Sequence, residues 1–401
     1  MTMVLFLLAA VAFTVRFVIS PTVMDRLVAY TGEGGAFYEK VHFGSYLILL
    51  LLPVTLMARP FRLAGDEIAK FKALFWFIVT LLAIVVVLFL AKRAGASVFL
   101  VDTYVTAAAA GLIVLILGPT SRVAMGHFLL LLLILSAVIG IGEAALGKRL
   151  MPYDLDEVIF RPLGLSDHPL GLGALSAMAI GFVPLAHWRL WVRIAAIFVL
   201  FVGVAASGAR FALLIAVAEI LVLLLFLPWG GLNPRQTRQA KLIVFVPLLA
   251  GGVALIGLLA SSGFLGRFGG TLFDENFFAR VTVNQAFSLV SWKELLFGMP
   301  PADLLALVNK ELNLPYIESA QVVIGLTFGI PMALVFLVAF LQILAKLLYR
   351  APMAAWIGTG AIILAGLSNN SFSSKAPTIM ILFVLLMAFG GGTASVAGRK
   401  T

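Results

Sequence analysis

Four short polar stretches contain the residues that could do chemistry in a chain that is otherwise mostly hydrocarbon. They are Arg161 with Gly164, the turn Ser207 to Arg210, Arg280, and Glu318 with Ser319. Arginine guanidinium groups make paired hydrogen bonds to phosphate oxygens, and helix N-termini also favour anions. A carboxylate among such groups can act as a general base. The pattern therefore predicts a phosphate-bearing substrate, with Arg161, Arg210 and Arg280 as its ligands and Glu318 as the base.

Three of these stretches also have a purely structural interpretation. Arg161 could meet lipid headgroups, and Arg280 could form a surface salt bridge with Asp274 or Glu275. Glu318 and Ser319 could simply cap a helix, because serine and acidic residues are both favoured at helix N-termini. The residue types alone leave both interpretations open.

The turn Ser207-Gly-Ala-Arg210 is the whole connection between two predicted spans. Ser207 can cap the second of these spans, and Gly208 permits the tight turn. Arg210 falls in the first turn of that helix, where a cation opposes the helix dipole unless an anion binds. This mismatch favours an anion-binding role for Arg210.

Residues 166–169 begin another apolar span. Ser166 or Asp167 can cap it, and Pro169 suits its first turn. Asp167 and His168 are the alternatives to Glu318 as a base, and Ser319 is a further possible site residue.

Other charged residues inside predicted spans include Arg16, Asp102 and Glu219. Arg16 is expected to extend its side chain towards the membrane surface. Asp102 is expected to cap the span that it begins. Glu219 lies deep in the membrane and needs either a partner or a proton.

Composition places the chain in the membrane. It has 401 residues, of which 62% are hydrophobic and 11% charged. There is no cysteine, so disulfides and thiolate metal sites are excluded, and the four histidines lack metal-ligand spacing. We therefore expect no metal and no cofactor. The net charge of +10 comes mainly from short loops between spans, which is typical of membrane topology and not of nucleic-acid binding.

Apolar runs predict an all-α polytopic membrane protein with about 12 transmembrane helices in a single integral membrane domain, 1–401. The predicted spans are 3–19, 41–58, 73–91, 98–117, 123–143, 168–186, 190–206, 209–228, 242–260, 319–345, 352–368 and 377–394. Basic residues in the short loops fall on one side of this arrangement, which places both termini in the cytoplasm. The loops at 144–167 and 261–319 then lie outside.

The polar segment 261–319 is predicted to be a helical subdomain. Residues 274–276 can cap a helix over 277–296, and Gly298 ends it. A second helix is expected over 302–312, followed by one continuous span from residue 319. An amphipathic excursion of this length favours a lid or platform on the membrane face.

The order of these motifs resembles that of the O-antigen ligase and O-antigen or exopolysaccharide polymerase superfamily of bacterial membrane glycosyltransferases. The resemblance covers roughly residues 161–329. It comprises an R-x-x-G segment, an S-G-x-R turn, an arginine early in a loop helix that ends in Leu-Phe-Gly, and a polar pair that opens a span with a later glycine. The residues are Arg161 and Gly164, Ser207 to Arg210, Arg280 with Leu296-Phe297-Gly298, and Glu318-Ser319 with Gly329.

The resemblance implies a metal-independent, GT-C-like enzyme of the cytoplasmic (inner) membrane. Such an enzyme transfers glycan from an undecaprenyl-pyrophosphate carrier at the periplasmic face, with Arg210, Arg280 and Arg161 on the pyrophosphate. A flippase and a chain-length regulator would be its partners. Ligases have His-Asn where this chain has Glu318-Ser319, which favours a polymerase acting on a sugar hydroxyl of a lipid-linked repeat unit.

Three alternatives remain open at this stage. The chain could be an O-antigen ligase that transfers glycan to the lipid A core. It could be a secondary transporter, although no internal repeat or mid-membrane helix break is evident. It could also be a non-enzymatic assembly factor, if Glu318 serves only as a helix cap.

Overall fold

The computed structural model describes residues 2–31, 37–58, 61–153, 160–227, 235–236, 238–239, 241–242 and 275–390, and the regular elements in these ranges are helical. A π-helical turn, Leu100–Val105, connects α5 to α6. The helices are α1 Thr2–Val18, α2 Pro21–Asp25, α3 Phe43–Ala58, α4 Asp66–Leu90, α5 Ala94–Phe99, α6 Thr106–Ile116, α7 Pro119–Leu146, α8 Pro169–Phe182, α9 Leu190–Ala206, α10 Arg210–Phe226, α11 Glu275–Thr282, α12 Ala286–Leu289, α13 Trp292–Phe297, α14 Pro301–Leu312, α15 Ala320–Phe328, α16 Ile330–Leu348, α17 Met353–Leu367 and α18 Thr378–Phe389.

The helices are those of a membrane protein. Four of those in the described ranges are long and apolar enough to cross a bilayer, and six shorter apolar helices accompany them. The four are Asp66–Leu90, Gly95–Ile116, Pro119–Leu146 and Ile330–Leu348. The span predicted at 242–260 lies outside the described residues.

The way α4 is buried also fits a membrane environment. Its buried residues recur at alternating spacings of four and three, which makes a single stripe along the helix. They are Lys70, Leu74, Phe77, Leu81, Ile84 and Leu88. The opposite face exposes Phe75, Trp76 and Val86, where a helix facing water would carry polar residues.

Two helices form the centre of the bundle. Every residue of α6 and of α18 is buried, as expected for helices that are apolar on all sides. The run Ala107 to Gly111 gives α6 a small-residue surface, which allows neighbouring helices to approach closely.

Polar contacts define one end of the bundle, which we call the basic end. Arg122, at the beginning of α7, pairs with Glu67 of α4 at 2.6 Å. Arg350, after α16, pairs with Asp66 at 3.3 Å. The Lys70 ammonium group donates to the carbonyl of Gly390, after α18. The charges at this end therefore tie α4 to three neighbouring helices, α7, α16 and α18.

The opposite end, which we call the loop end, contains the other helix termini. The Arg16 side chain, near the end of α1, donates to the carbonyl of Lys375, which precedes α18, at 3.0 Å. The first N–H of α15, from Ala320, donates to the carbonyl of Asn369, after α17. All the site residues predicted from the sequence lie at this end.

The helix predicted over 277–296 is interrupted. Val290 is extended, and Ser291 begins the new helix α13 with a reciprocal capping box. The Ser291 hydroxyl accepts from the Glu294 N–H, and the Glu294 carboxylate accepts from the Ser291 N–H at 2.7 Å. This pair of bonds satisfies two N–H groups at a new helix start and so competes with helix continuation. The second predicted helix, 302–312, is confirmed as α14, which ends at Asn313 in the left-handed conformation.

The prediction of one continuous span from residue 319 is wrong. The chain breaks at Gly329, whose φ of +84° suits glycine, and a Cβ there would lie 2.4 Å from the carbonyl oxygen of Leu296. Helix α15 runs along the loop end from Asn369 to Phe99, on which the ring of Phe328 stacks at 5.7 Å. The membrane span that follows is therefore α16 alone.

Helix α15 packs between two hydrophobic clusters. Ala320 and Phe328 belong to the core of the bundle. Val322 and Leu326 belong to a second, smaller cluster with residues of the segment 283–308. The partners in this cluster are Val283, Ala286, Met299, Leu304 and Val308. Of the loop helices α11 to α14, those from α12 onward therefore rest on α15.

Asp102 and Arg16 form a buried ion pair, which contradicts both expectations for them. Arg16 is only 3% exposed and does not extend towards the surface. Asp102 lies within the π-helical turn and caps no helix. Its carboxylate accepts hydrogen bonds from three side chains and one backbone N–H group of α1, of α3 and of the segment between them. The donors are the Arg16 guanidinium, the Tyr30 hydroxyl, the His42 N–H and the Ser45 hydroxyl.

Two other buried carboxyl groups differ sharply in their surroundings. Glu143 accepts from the backbone N–H groups of Leu150, Leu163 and Gly164 at 2.7 to 2.8 Å. Glu219 in α10 lies against Gly181, and within the described residues neither of its carboxyl oxygens has a hydrogen-bond partner. Both carboxyl oxygens of Glu143 thus have hydrogen-bond partners, whereas those of Glu219 have none among the described residues.

Replacing these two residues with methionine should have opposite effects on stability. Glu219→Met removes an unsatisfied buried polar group, so we expect the free energy of unfolding to rise by about 1–3 kcal/mol. Glu143→Met leaves three N–H groups without an acceptor and should lower it by at least about 2 kcal/mol. Denaturant unfolding in one detergent measures both changes. A less stable Glu219→Met protein would show that the carboxyl group has a partner the fold needs.

Candidate functional site

Arg280 and Glu318 meet at the loop end although 38 residues separate them. The Nε atom of Arg280 lies 2.9 Å from Oε2 of Glu318, with side-chain exposures of 32% and 25%. The salt bridge considered from the sequence involved Asp274 or Glu275; Asp274 lies outside the described residues, and the described partner is Glu318. The pair is half-buried, so a substrate can reach it.

Glu318 is held in place by the start of α15. The Ser319 hydroxyl caps this helix by accepting from the Val322 N–H, and it also donates to the side chain of Gln321. Gln321 in turn donates to the carbonyl of Leu367, at the end of α17. The capping role expected for Ser319 is confirmed, and its effect is to fix the carboxylate beside the bundle.

The guanidinium group of Arg280 is only partly used by this pair. Glu318 takes the Nε donor, and the four terminal N–H donors have no acceptor among the described residues. A phosphate group binds such terminal donors in a paired geometry. Glu318 thus orients Arg280 and leaves its terminal N–H groups for an anion.

Arg161 lies beside the turn that carries Arg210. Its Nε donates to the carbonyl of Ser207 at 3.2 Å, and its own carbonyl accepts from Arg149 at 3.0 Å. Gly208 has a φ of +67°, as the tight turn requires. The structure therefore brings the predicted ligands together in two groups: Arg280 with Glu318, and Arg161 with the Ser207–Arg210 turn.

The cap predicted for α10 is wrong. Ser207 ends α9, with its hydroxyl donating to the Val204 carbonyl and accepting from the Ala209 N–H. Ala209 precedes Arg210 and supplies no side-chain cap. The first turn of α10 thus keeps N–H groups that no cap satisfies, which strengthens its preference for an anion.

Glu143 holds the loop that carries Arg161, and the sequence analysis missed it. Its Oε2 accepts from the backbone N–H groups of Leu163 and Gly164. Gly164 has a φ of +58° and packs against the carbonyl of Ser136. A Cβ at Gly164 would lie 2.3 Å from that carbonyl oxygen. One signal was available: Glu143 lies in the last turn of α7, where an acidic residue opposes the helix dipole.

His168 caps α8, in place of the predicted Ser166 or Asp167. Its backbone is extended and its Nδ1 accepts from the Leu170 N–H at 3.1 Å, while the Ser166 hydroxyl donates to the Leu163 carbonyl. Burial, together with the charges of Arg161 and Arg149, lowers the pKa of His168 to about 4. His168 is therefore a neutral acceptor and a weak base at physiological pH. Pro169 at the first helical position is confirmed.

Asp167 is the other alternative base at the loop end. Burial raises the pKa of its carboxyl group, and the charge of Arg16 opposes this shift. Asp167 thus lies in the field of the buried Arg16. It remains the alternative to Glu318 if the base is not at the start of α15.

Lys375 is a second residue that sequence reasoning missed. Its ammonium group donates to the Tyr30 carbonyl and lies 4.2 Å from the centre of the Tyr30 ring. Burial lowers the pKa of Lys375 to about 8, against the opposing charge of Asp102. Lys375 links the buried ion pair to the loop before α18, and nothing in the local sequence indicates this contact.

The chain matches no protein-family model and no curated protein. The resemblance to the O-antigen ligase and polymerase superfamily therefore rests on the order and spacing of the motifs. In the part of the chain that the structure describes, no cluster of three or more histidine, aspartate or glutamate side chains could hold a metal ion.

His168 predicts a pH dependence of stability. In the folded protein it stays neutral down to about pH 4, whereas its ordinary pKa is 6.5. Between these values the unfolded chain binds more protons, so the stability due to neutral His168 falls as the pH decreases from about 6.5 to about 4.

His168→Asn keeps a helix-capping acceptor but cannot titrate. We expect its unfolding temperature to fall less steeply over this pH range than that of the wild type. His42, whose pKa burial also lowers to about 4, contributes equally to both proteins. If the unfolding temperatures of the wild type and of His168→Asn fell equally with decreasing pH, His168 would not gain a proton on unfolding.

Proposed function

We propose that the protein is a bacterial polysaccharide polymerase. It transfers glycan from an undecaprenyl-pyrophosphate carrier to a sugar hydroxyl of a lipid-linked repeat unit at the periplasmic face of the inner membrane. In this proposal the loop end is periplasmic, the basic end and both termini are cytoplasmic, and about 12 spans form a GT-C-like fold. The contact between Arg280 and Glu318 carries the proposal.

The chemistry requires a base beside an anion-binding group, and this pair supplies both. The Glu318 carboxylate takes the proton of the acceptor hydroxyl as that oxygen attacks the anomeric carbon. The bond between the anomeric carbon and the pyrophosphate oxygen breaks, and the carrier pyrophosphate leaves with the electron pair. The terminal N–H groups of Arg280 stabilise the charge that develops on this leaving group.

Arg161 and Arg210 supply the positive charge that Arg280 lacks once it is paired. The Arg161 Nε donates to the Ser207 carbonyl, which places this arginine beside the start of α10, where no side chain caps the helix. Three helices, α8, α10 and α15, begin at the loop end and present positive helix ends there. A pyrophosphate is the kind of substrate group that such a surface attracts.

The purified protein, incubated in lipid with an undecaprenyl-pyrophosphate-linked repeat unit, should form a ladder of glycans. Glu318→Gln removes the basic site and should lower turnover by about 10²–10⁴-fold. Arg280→Lys loses the planar fork and should also impair turnover severely. Glu311→Gln, an exposed carboxylate on α14 that pairs with Lys310, is the matched control and should leave the rate unchanged.

A double variant separates the two roles of Glu318. If Glu318 only orients Arg280, then Arg280→Gln with Glu318→Gln should be no slower than Arg280→Gln alone. If Glu318 is the base, the double variant should be slower still. Near wild-type polymer formation by Glu318→Gln would remove Glu318 from the mechanism. Transfer only to a lipid A core would identify a ligase, and no transfer at all would contradict a glycosyltransferase.

A further inference from the structure

Helix α13 has an apolar side that is exposed in the described part of the chain. Trp292, Leu296 and Phe297 are exposed by 81%, 50% and 63%, and we call these three residues the α13 edge. Leu289, just before this helix, is also exposed. Exposed apolar residues grouped in this way usually mark a surface that contacts lipid or another protein.

The α13 edge lies where a membrane helix ends. The Arg93 guanidinium group, in the turn between α4 and α5, donates to the carbonyl of Phe297. The last two residues of α4, Phe89 and Leu90, are 63% and 76% exposed. The α13 edge therefore lies close to the end of a candidate membrane span whose outer face is apolar.

A second membrane span, α16, also begins next to α13. Gly298, directly after α13, packs against the backbone of Gly329, directly before the span α16. An apolar groove lies between α4 and α16, lined by Thr80, Leu334, Val335, Val338, Ala339 and Gln342. The α13 edge is thus tied to the ends of both spans that border this groove.

The exposed charged residues beside the α13 edge are lysines. Lys92 and Lys293 are exposed beside it. The acidic residue within α13, Glu294, is bound in the capping box of Ser291. Tryptophan flanked by lysines is typical of segments at the headgroup level of a bilayer, where the ring meets acyl chains and the cations meet lipid phosphates.

We propose that the α13 edge inserts into the bilayer interface beside α4 and contacts lipid. The insertion anchors the loop helices α11 to α14 at the height of the headgroups. Arg280 belongs to these helices, so the anchor also sets the height at which it meets Glu318. The inference stands on the position and exposure of α13 and does not depend on glycosyl transfer.

Fluorescence quenching tests the insertion, because the chain contains no cysteine and a single one can be introduced. Leu296→Cys, which keeps Trp292 in place, is labelled with an environment-sensitive dye in nanodiscs that hold one copy of the chain. The discs contain phosphatidylethanolamine and phosphatidylglycerol, with or without lipids that carry a spin label near the headgroup. Lys310→Cys, on the exposed side of α14, is the matched control.

We expect the dye at position 296 to show a blue-shifted emission, a loss of fluorescence with spin-labelled lipid, and weak quenching by iodide. Position 310 should show the reverse. Equal iodide quenching at both positions would overturn the proposal. So would protection at 296 that appears only when two copies share a disc, because the occupant would then be a second chain. A Trp292→Cys variant that folds must give the same result as Leu296→Cys.

Discussion

The carboxylate of Asp102 is the group on which the loop end depends. A buried charge is very costly unless it is paired and hydrogen-bonded, so the fold must bring donors to it. They come from α1, from α3 and from the segment between these helices. Arg16 then reaches the carbonyl of Lys375, and the loop that contains Lys375 also provides the Asn369 carbonyl that receives the first N–H of α15. Glu318 therefore has a fixed position because a buried carboxylate far from it in sequence needs partners.

The two groups of arginines at the loop end are held in different ways. Arg280 is oriented by an acidic side chain, that of Glu318, whereas Arg161 donates its Nε to the backbone carbonyl of Ser207. Glu143 holds the loop that carries Arg161 by accepting from the backbone N–H groups of Leu163 and Gly164. One carboxylate therefore orients Arg280 directly, whereas another acts on Arg161 through the backbone of its loop.

The sequence predicts the features of the fold that depend on residues close together in the chain. Hydropathy locates the helices, Pro169 and Ser319 behave as first-turn and capping residues, and all the predicted site residues lie at one end. Hydropathy fails at α15, because an apolar helix between two hydrophobic clusters has the same composition as the start of a span. It also fails for Arg16 and Asp102, whose contact joins residues 86 apart. Such contacts depend on helix packing, and one sequence carries no local signal for them.

Helix α15 explains why the site lies where it does. One side of this helix is fixed to the bundle through Ala320 and Phe328, and the other supports the loop helices through Val322 and Leu326. Glu318, at its start, is therefore attached to the bundle, whereas Arg280 belongs to the loop helices. Their ion pair is the point at which the two parts meet, so a shift of the loop helices changes the distance between the base and the anion-binding fork. A site built on such a junction responds to whatever holds the loop helices in place.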